Sequence, residues 1–252
     1  QAPHKAGHIS RVLDVDCSTQ LVDLEQLFTT WYQNKKLGGP SMVSILELEE
    51  ILTRARLPYI LKEVANAKGP VLIYSHFIGK PNGSKQSRID TLLLNAIAAT
   101  GKRVGCFTGE EKQGLNEFKH GNLDVLIASA TISVGVDGLQ HVCNKLIFNI
   151  LPWTSAEYDQ IIARLDRQWQ TSQVDVVIPL PKYSLFGDTA GAWYETFKMD
   201  RIKKKRTIAN AAVDGIPFGG YVISQEKALQ DHCKWVARLI ENGAHQASGR
   251  KE

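Results

Sequence analysis

The chain has 252 residues, of which 43% are hydrophobic and 22% charged, so it can bury a sizeable core and falls outside the disordered, collagenous and disulfide-scaffold classes. Its formal net charge of +4 permits a polyanionic partner without requiring one, and no apolar run approaches the ~18 residues a membrane helix needs, so no membrane partner is expected. Cys17, Cys106, Cys143 and Cys233 are far apart in sequence, with no CxxC and no zinc spacing, which favours a reducing, intracellular compartment; no metal site is expected.

Residues 1–18 read as irregular and carry no signal-peptide core. The start on Gln1 rather than methionine is consistent with a fragment or a processed product. From Thr19 to Lys36 apolar residues recur at Leu21, Leu24, Leu27, Phe28 and Trp31, which predicts a helix. LGGP then interrupts the pattern. A second helix is expected after Ser41, through Ile45, Leu48, Ile51 and Leu52, and a third from about Tyr59 to Ala67.

The middle of the chain changes character. VLIY (71–74), RVGCF (103–107), DVLIAS (124–129), KLIFNI (145–150) and VDVVIPL (174–180) read as buried strands. Helical patterns fall between them at 86–99, 111–119 and about 155–168. This alternation predicts an α/β fold: a parallel sheet flanked by helices, with helical additions at both ends. The expected division is 1–68 as a helical N-terminal extension, 69–182 as the α/β lobe and 183–252 as a helical C-terminal extension. Helices are expected over about 188–213, including the basic run RIKKKR (201–206), and over 224–242. The run reads best as a solvated lysine-rich face.

In such sheets ligands sit beyond the carboxyl ends of the strands. The segment WTSAEYDQIIARLDRQWQ (153–170) is the most informative there. On a continuous helix Gln160, Arg164 and Arg167 would share one face. Two arginines on one stripe suit phosphate oxygens, although a solvated face paired with Glu157, Asp159 and Asp166 has the same spacing. In DVLIASATISVGVDGLQ (124–140), Ser129 stands at a strand end where its hydroxyl and backbone N–H groups suit a phosphate. Gly135 permits close approach of a ligand, and Asp137 can accept a bond from a ribose hydroxyl. An ordinary strand-to-loop turn is the plainer alternative.

Segment 153–170 resembles motif VI of the superfamily 2 helicases, specifically the Swi/Snf-type translocases. Trp153, Gln160, Ala163, Arg164, Arg167 and Gln170 stand at that motif's spacing, while Thr154-Ser155 replaces Asn-Pro, and Asp166 and Trp169 replace the usual histidine and glycine. Segment 124–140 resembles motif V, VLIYSHF (71–77) resembles motif IV, and CFTGEEK (106–112) resembles the motif that follows it. The order is collinear over about 69–180. The resemblance implies a RecA-like C-terminal lobe in which Arg164 and Arg167 are arginine fingers and Gln160, Gly135 and Asp137 lie on the ATP side. Ser75, His76, Thr108, Gly109 and Ser129 would touch the nucleic-acid backbone, with double-stranded DNA the expected nucleic acid.

ATP hydrolysis in that family also needs a Gly-Lys-Ser/Thr phosphate loop and an acidic metal-binding motif. Neither occurs in these 252 residues: Gly79-Lys80 is followed by proline, and LELEE (46–50) falls on a predicted helix. The expectation is therefore half of an ATP site, inactive alone, completed by an N-terminal RecA-like lobe that would hold Mg2+. A non-catalytic nucleic-acid-binding or interaction module on the same fold is the alternative.

Overall fold

The structure is a computed structural model that describes residues 6–76, 88–109, 111–188, 199 and 225–248. The expected basic run at 201–206 and helix at 188–213 lie outside the described residues, apart from Asp188 and Met199.

Six strands form one sheet: β1 (His8–Asp16), β2 (Val71–Ser75), β3 (Val104–Phe107), β4 (Val125–Ala128), β5 (Lys145–Ile150) and β6 (Val174–Lys182). Their order is β1-β6-β5-β2-β4-β3. β2 pairs in parallel with both β4 and β5, β3 with β4, and β5 with β6. This is the expected RecA-like α/β architecture. β2 lies between strands reached by connections running in opposite directions, so the crevice at its carboxyl end is the place for a ligand.

The helices are α1 (Leu21–Lys36), α2 (Ile45–Ala65), α3 (Arg88–Ala98), α4 (Gln113–Lys119), α5 (Ser155–Ala163) and α6 (Gln225–Ser248). The chain divides into two compact units, one of 1–15 with 56–180 and the other of 16–55 with 181–252. The first contains the sheet. β2 and β4 are buried throughout and β5 from its second residue, as strands covered on both faces must be. On α3, Ile89, Leu93 and Ile97 recur every fourth residue and join Val71, Ile73, Val125, Ile127 and Ile147 in one apolar cluster. Each such side chain contributes about 1.5–3 kcal/mol on burial. Cys106 and Cys143 are buried free thiols, pushed up to about 12 chiefly by burial, which makes them core residues rather than nucleophiles.

At the amino ends of the strands, Arg11 of β1 donates to Asp175 of β6 at 2.8 Å and to Glu63 of α2 at 2.9 Å. Lys145 of β5 donates to the same Glu63 at 2.6 Å. Four elements are thereby joined through two carboxylates, and both carboxyls are held below their ordinary range: Asp175 chiefly by the bond from Arg11, Glu63 by Arg11 and Lys145 against the opposing effect of burial.

In the second unit Phe28 of α1 packs edge-on against His232 of α6 with ring centroids 5.4 Å apart. Tyr32 donates to Glu241 at 2.6 Å, and the Trp31 indole donates to the Pro40 carbonyl at 3.1 Å.

Three expectations change. Residues 8–16 are strand, not irregular; most of β1 is exposed or half-buried, which is why it carries no apolar period. The two helices expected on either side of residues 53–58 are one, α2, which contains Pro58. Pro58 cannot donate to the carbonyl four residues earlier, but Leu52, Ala55, Ile60 and Val64 are all buried and hold the helix through the interruption. The third change lies in α5 and belongs to the site.

Candidate nucleotide and nucleic-acid site

α5 is shorter than expected. Thr154 caps it, its hydroxyl accepting from the Glu157 N–H at 3.1 Å, and the helix ends at Ala163 with Arg164 as its C-cap. The Arg164 and Leu165 N–H groups turn to carbonyls three residues back, the tighter geometry of a fraying end. Of the predicted stripe, only Gln160 lies inside the helix, on its exposed surface. Leu165 is fully buried and Asp166 nearly so, which draws the chain off the helical path. Gln170 then anchors it: its side-chain amide donates to Cys143 O at 3.1 Å and Leu165 O at 3.3 Å.

The arginines nonetheless converge on the loop after β4. Arg164 donates to Val136 O at 3.0 Å and to Ser133 O. Its buried Nε has no partner among the described residues. Arg167 donates to Asp137 Oδ1 at 2.6 Å. Between these contacts Gly135 adopts φ +68 with open space where a Cβ would stand, a backbone that glycine takes without strain. Asp137 also accepts from the Gly138 N–H at 3.0 Å. Arg164, Arg167, Gly135 and Asp137 are thus brought together, while Gln160 stays on the helix.

A second group stands at the ends of β3 and β4. The Ser129 N–H donates to Phe107 O at 3.1 Å, tying the strand ends together. The Ser129 and Thr131 hydroxyls are 3.0 Å apart. Thr108 and the Glu111 backbone bond reciprocally, at 2.9 and 3.0 Å. A Cβ on exposed Gly109 would sit 3.9 Å from Thr131, in ordinary contact. Thr108, Gly109 and Ser129 therefore share one edge, joined by Thr131, which the sequence reading did not single out.

The end of β2 is different. Ser75 is only 1% exposed, and its hydroxyl accepts from the Asn149 side-chain amide at 3.2 Å. It faces the sheet's interior rather than the edge. His76, half-buried, has Nδ1 3.1 Å from the Tyr74 hydroxyl and 3.5 Å from Glu157. Tyr74 donates to Glu157 at 2.6 Å. Burial, then Glu157, pushes the Tyr74 phenol far above its ordinary value. Burial works against ionisation of Glu157, but His76 and Tyr74 outweigh it and hold the carboxyl low.

Two further residues escaped the sequence reading. His8 of β1 places Nδ1 2.8 Å from Asp166, which is 4% exposed. The edge strand thus positions the residue beside Arg167. Trp169 has φ +75 and is 64% exposed. The signal for Trp169 was present as a departure from the motif's glycine; that for His8 was not, because it depends on a sheet pairing. Among the described residues no three His, Cys, Asp or Glu side chains gather as a metal-binding group, and no helix is long and apolar enough to cross a membrane.

Residues 54–168 of this chain match the family described as helicase conserved C-terminal domain. Over 112 residues the chain is 30% identical to DEAD-box ATP-dependent RNA helicase 35A of Oryza sativa subsp. japonica, covering 43% of this chain but 17% of that protein. The crystal structure of the C-terminal part of the Fun30 ATPase domain shares the fold, with a TM-score of 0.56 and 11% identity over 95% of this chain and 99% of that one. The chain therefore spans under a fifth of the curated relative's length.

Proposed function

We propose that this chain is the second motor lobe of a nucleic-acid-dependent ATPase, a Swi/Snf-like DNA translocase or helicase, and that it lacks ATPase activity without a first lobe. The observation that carries the reading is the closure of motif VI on motif V: Arg164 to Ser133 and Val136, Arg167 to Asp137. A guanidinium already positioned at a loop with an open glycine is suited to oxygens of a transferring phosphoryl group. Arg164 would brace the loop and Arg167 would reach the phosphates, with Gln160 beside them. Asp137 and Gly135 would face the nucleotide's ribose and backbone approach.

These residues fit ATP as donors and a ribose acceptor; Mg2+ would be held by the opposite lobe. Bound ATP would supply the energy of closing two lobes on each other. Thr108, Gly109 and Ser129, with Thr131, would grip the backbone of double-stranded DNA, and His76 would lie at the same edge. Ser75 would act from inside, through Asn149.

The test joins the chain to a first lobe and measures ATP turnover with and without double-stranded DNA. Arg167→Ala should abolish DNA-stimulated turnover while leaving DNA binding intact. Wild-type turnover in that variant removes the finger assignment.

A further inference from the structure

Gln170 N donates to Arg167 O at 3.1 Å, so residues 167–170 form a tight turn whose third residue is Trp169. Its φ of +75 is a conformation that such turns give to glycine. A bulky side chain there costs on the order of 1–2 kcal/mol. Burial does not offset the cost, since the indole is 64% exposed. The turn is anchored at its end by the buried Gln170 amide on Cys143 O and Leu165 O. The loop it faces in the hydrogen-bond pattern carries another exposed apolar side chain, Val134, at 74%. Val134 is flanked by the two carbonyls that Arg164 holds, those of Ser133 and Val136. An exposed ring held in a strained conformation, two residues from Arg167, is an arrangement that points to a ligand.

We propose that Trp169 is the base-stacking platform of the nucleotide site: its indole covers the purine of the nucleotide whose phosphates meet Arg167. This rests on the nucleotide reading of Arg167 and Asp137. A π-face accepts any purine, so Trp169 would add affinity for nucleotides with a base over bare polyphosphate, with modest choice between ATP and GTP.

Calorimetric titration of the chain joined to a first lobe, with ATP and with inorganic tripolyphosphate, tests it. Trp169→Gly is the variant of choice because glycine accepts φ +75 and the turn should fold. It should bind ATP roughly 5- to 150-fold more weakly and tripolyphosphate unchanged, whereas Trp169→Phe should stay within a few-fold of wild type. Arg167→Ala should weaken both ligands. Wild-type ATP affinity in Trp169→Gly, with both ligands weakened in Arg167→Ala, overturns the stacking assignment and leaves the nucleotide site standing. So does an equal loss of both ligands in Trp169→Gly. Arg167→Ala that changes neither affinity, or a wild-type two-lobe protein that binds neither ligand, overturns the nucleotide reading and the stacking with it.

Discussion

Arg167 Nη1 stands 2.6 Å from Asp137 Oδ1, a contact across 30 residues of sequence between two exposed side chains. Its position at the surface decides its role. An exposed pair of this kind contributes about 1 kcal/mol or less, so it orients the guanidinium without fastening the fold.

Arg167→Ala should therefore change unfolding stability by less than about 1 kcal/mol, measured by chemical denaturation. Its effect should appear only in nucleotide-dependent assays. A large drop in denaturation midpoint would assign Arg167 to the fold instead.

Arg164 should behave in the opposite way. It is half-buried and donates to two carbonyls of the 133–136 loop. Arg164→Ala leaves both without that donor, at an expected cost of about 1–3 kcal/mol. Arg164→Lys should rescue little, because one ammonium cannot replace a planar fork across two acceptors. Denaturant midpoints of the three proteins check the order.

Gly114 on α4 faces Cys106 of β3 so closely that a Cβ would lie 2.1 Å from the Cys106 carbonyl oxygen. Gly114→Ala must push helix and strand apart, and should cost at least about 1–3 kcal/mol by thermal unfolding. Gly69→Ala, where the space is open, is the control.

Asp124 is held at about 2, first by its hydrogen bond from the Arg103 side chain and then by the Arg103 N–H. The folded value lies below the unfolded one, so the stabilisation is fully present above the unfolded value of 3.8 and is lost as pH falls through about 2. Arg103 is 57% exposed, so screening should keep the contribution below about 1 kcal/mol. Asp124→Asn should flatten the stability profile over that window. An unchanged acid limb counts against the pairing.

Strands β2 to β6 were legible because each is an apolar run bounded by turn residues. β1 was not, because HISRVLDVD is held by pairing and by the ion pairs of Arg11 rather than by an apolar face. The motif spacing located Arg164 and Arg167 but assigned them the wrong secondary structure. Periodicity cannot register that Leu165 and Gln170 pull the chain off the helix through contacts distant in sequence. Ser75 illustrates the complementary limit: a hydroxyl at a strand end reads alike whether it faces a ligand or, as here, Asn149.

The strand order has a practical consequence. The family match begins at residue 54 and ends at 168, but β1 and β6 lie outside it and together close one side of the sheet. A chain trimmed to the match would turn β5, with its sequence KLIFNI, into an open edge, and would leave Glu63 and Lys145 without Arg11 and Asp175. An unpaired apolar edge is a template for self-association. Such a piece is expected to precipitate on expression, so the recombinant boundary belongs before His8 and after Lys182 rather than at the limits of similarity.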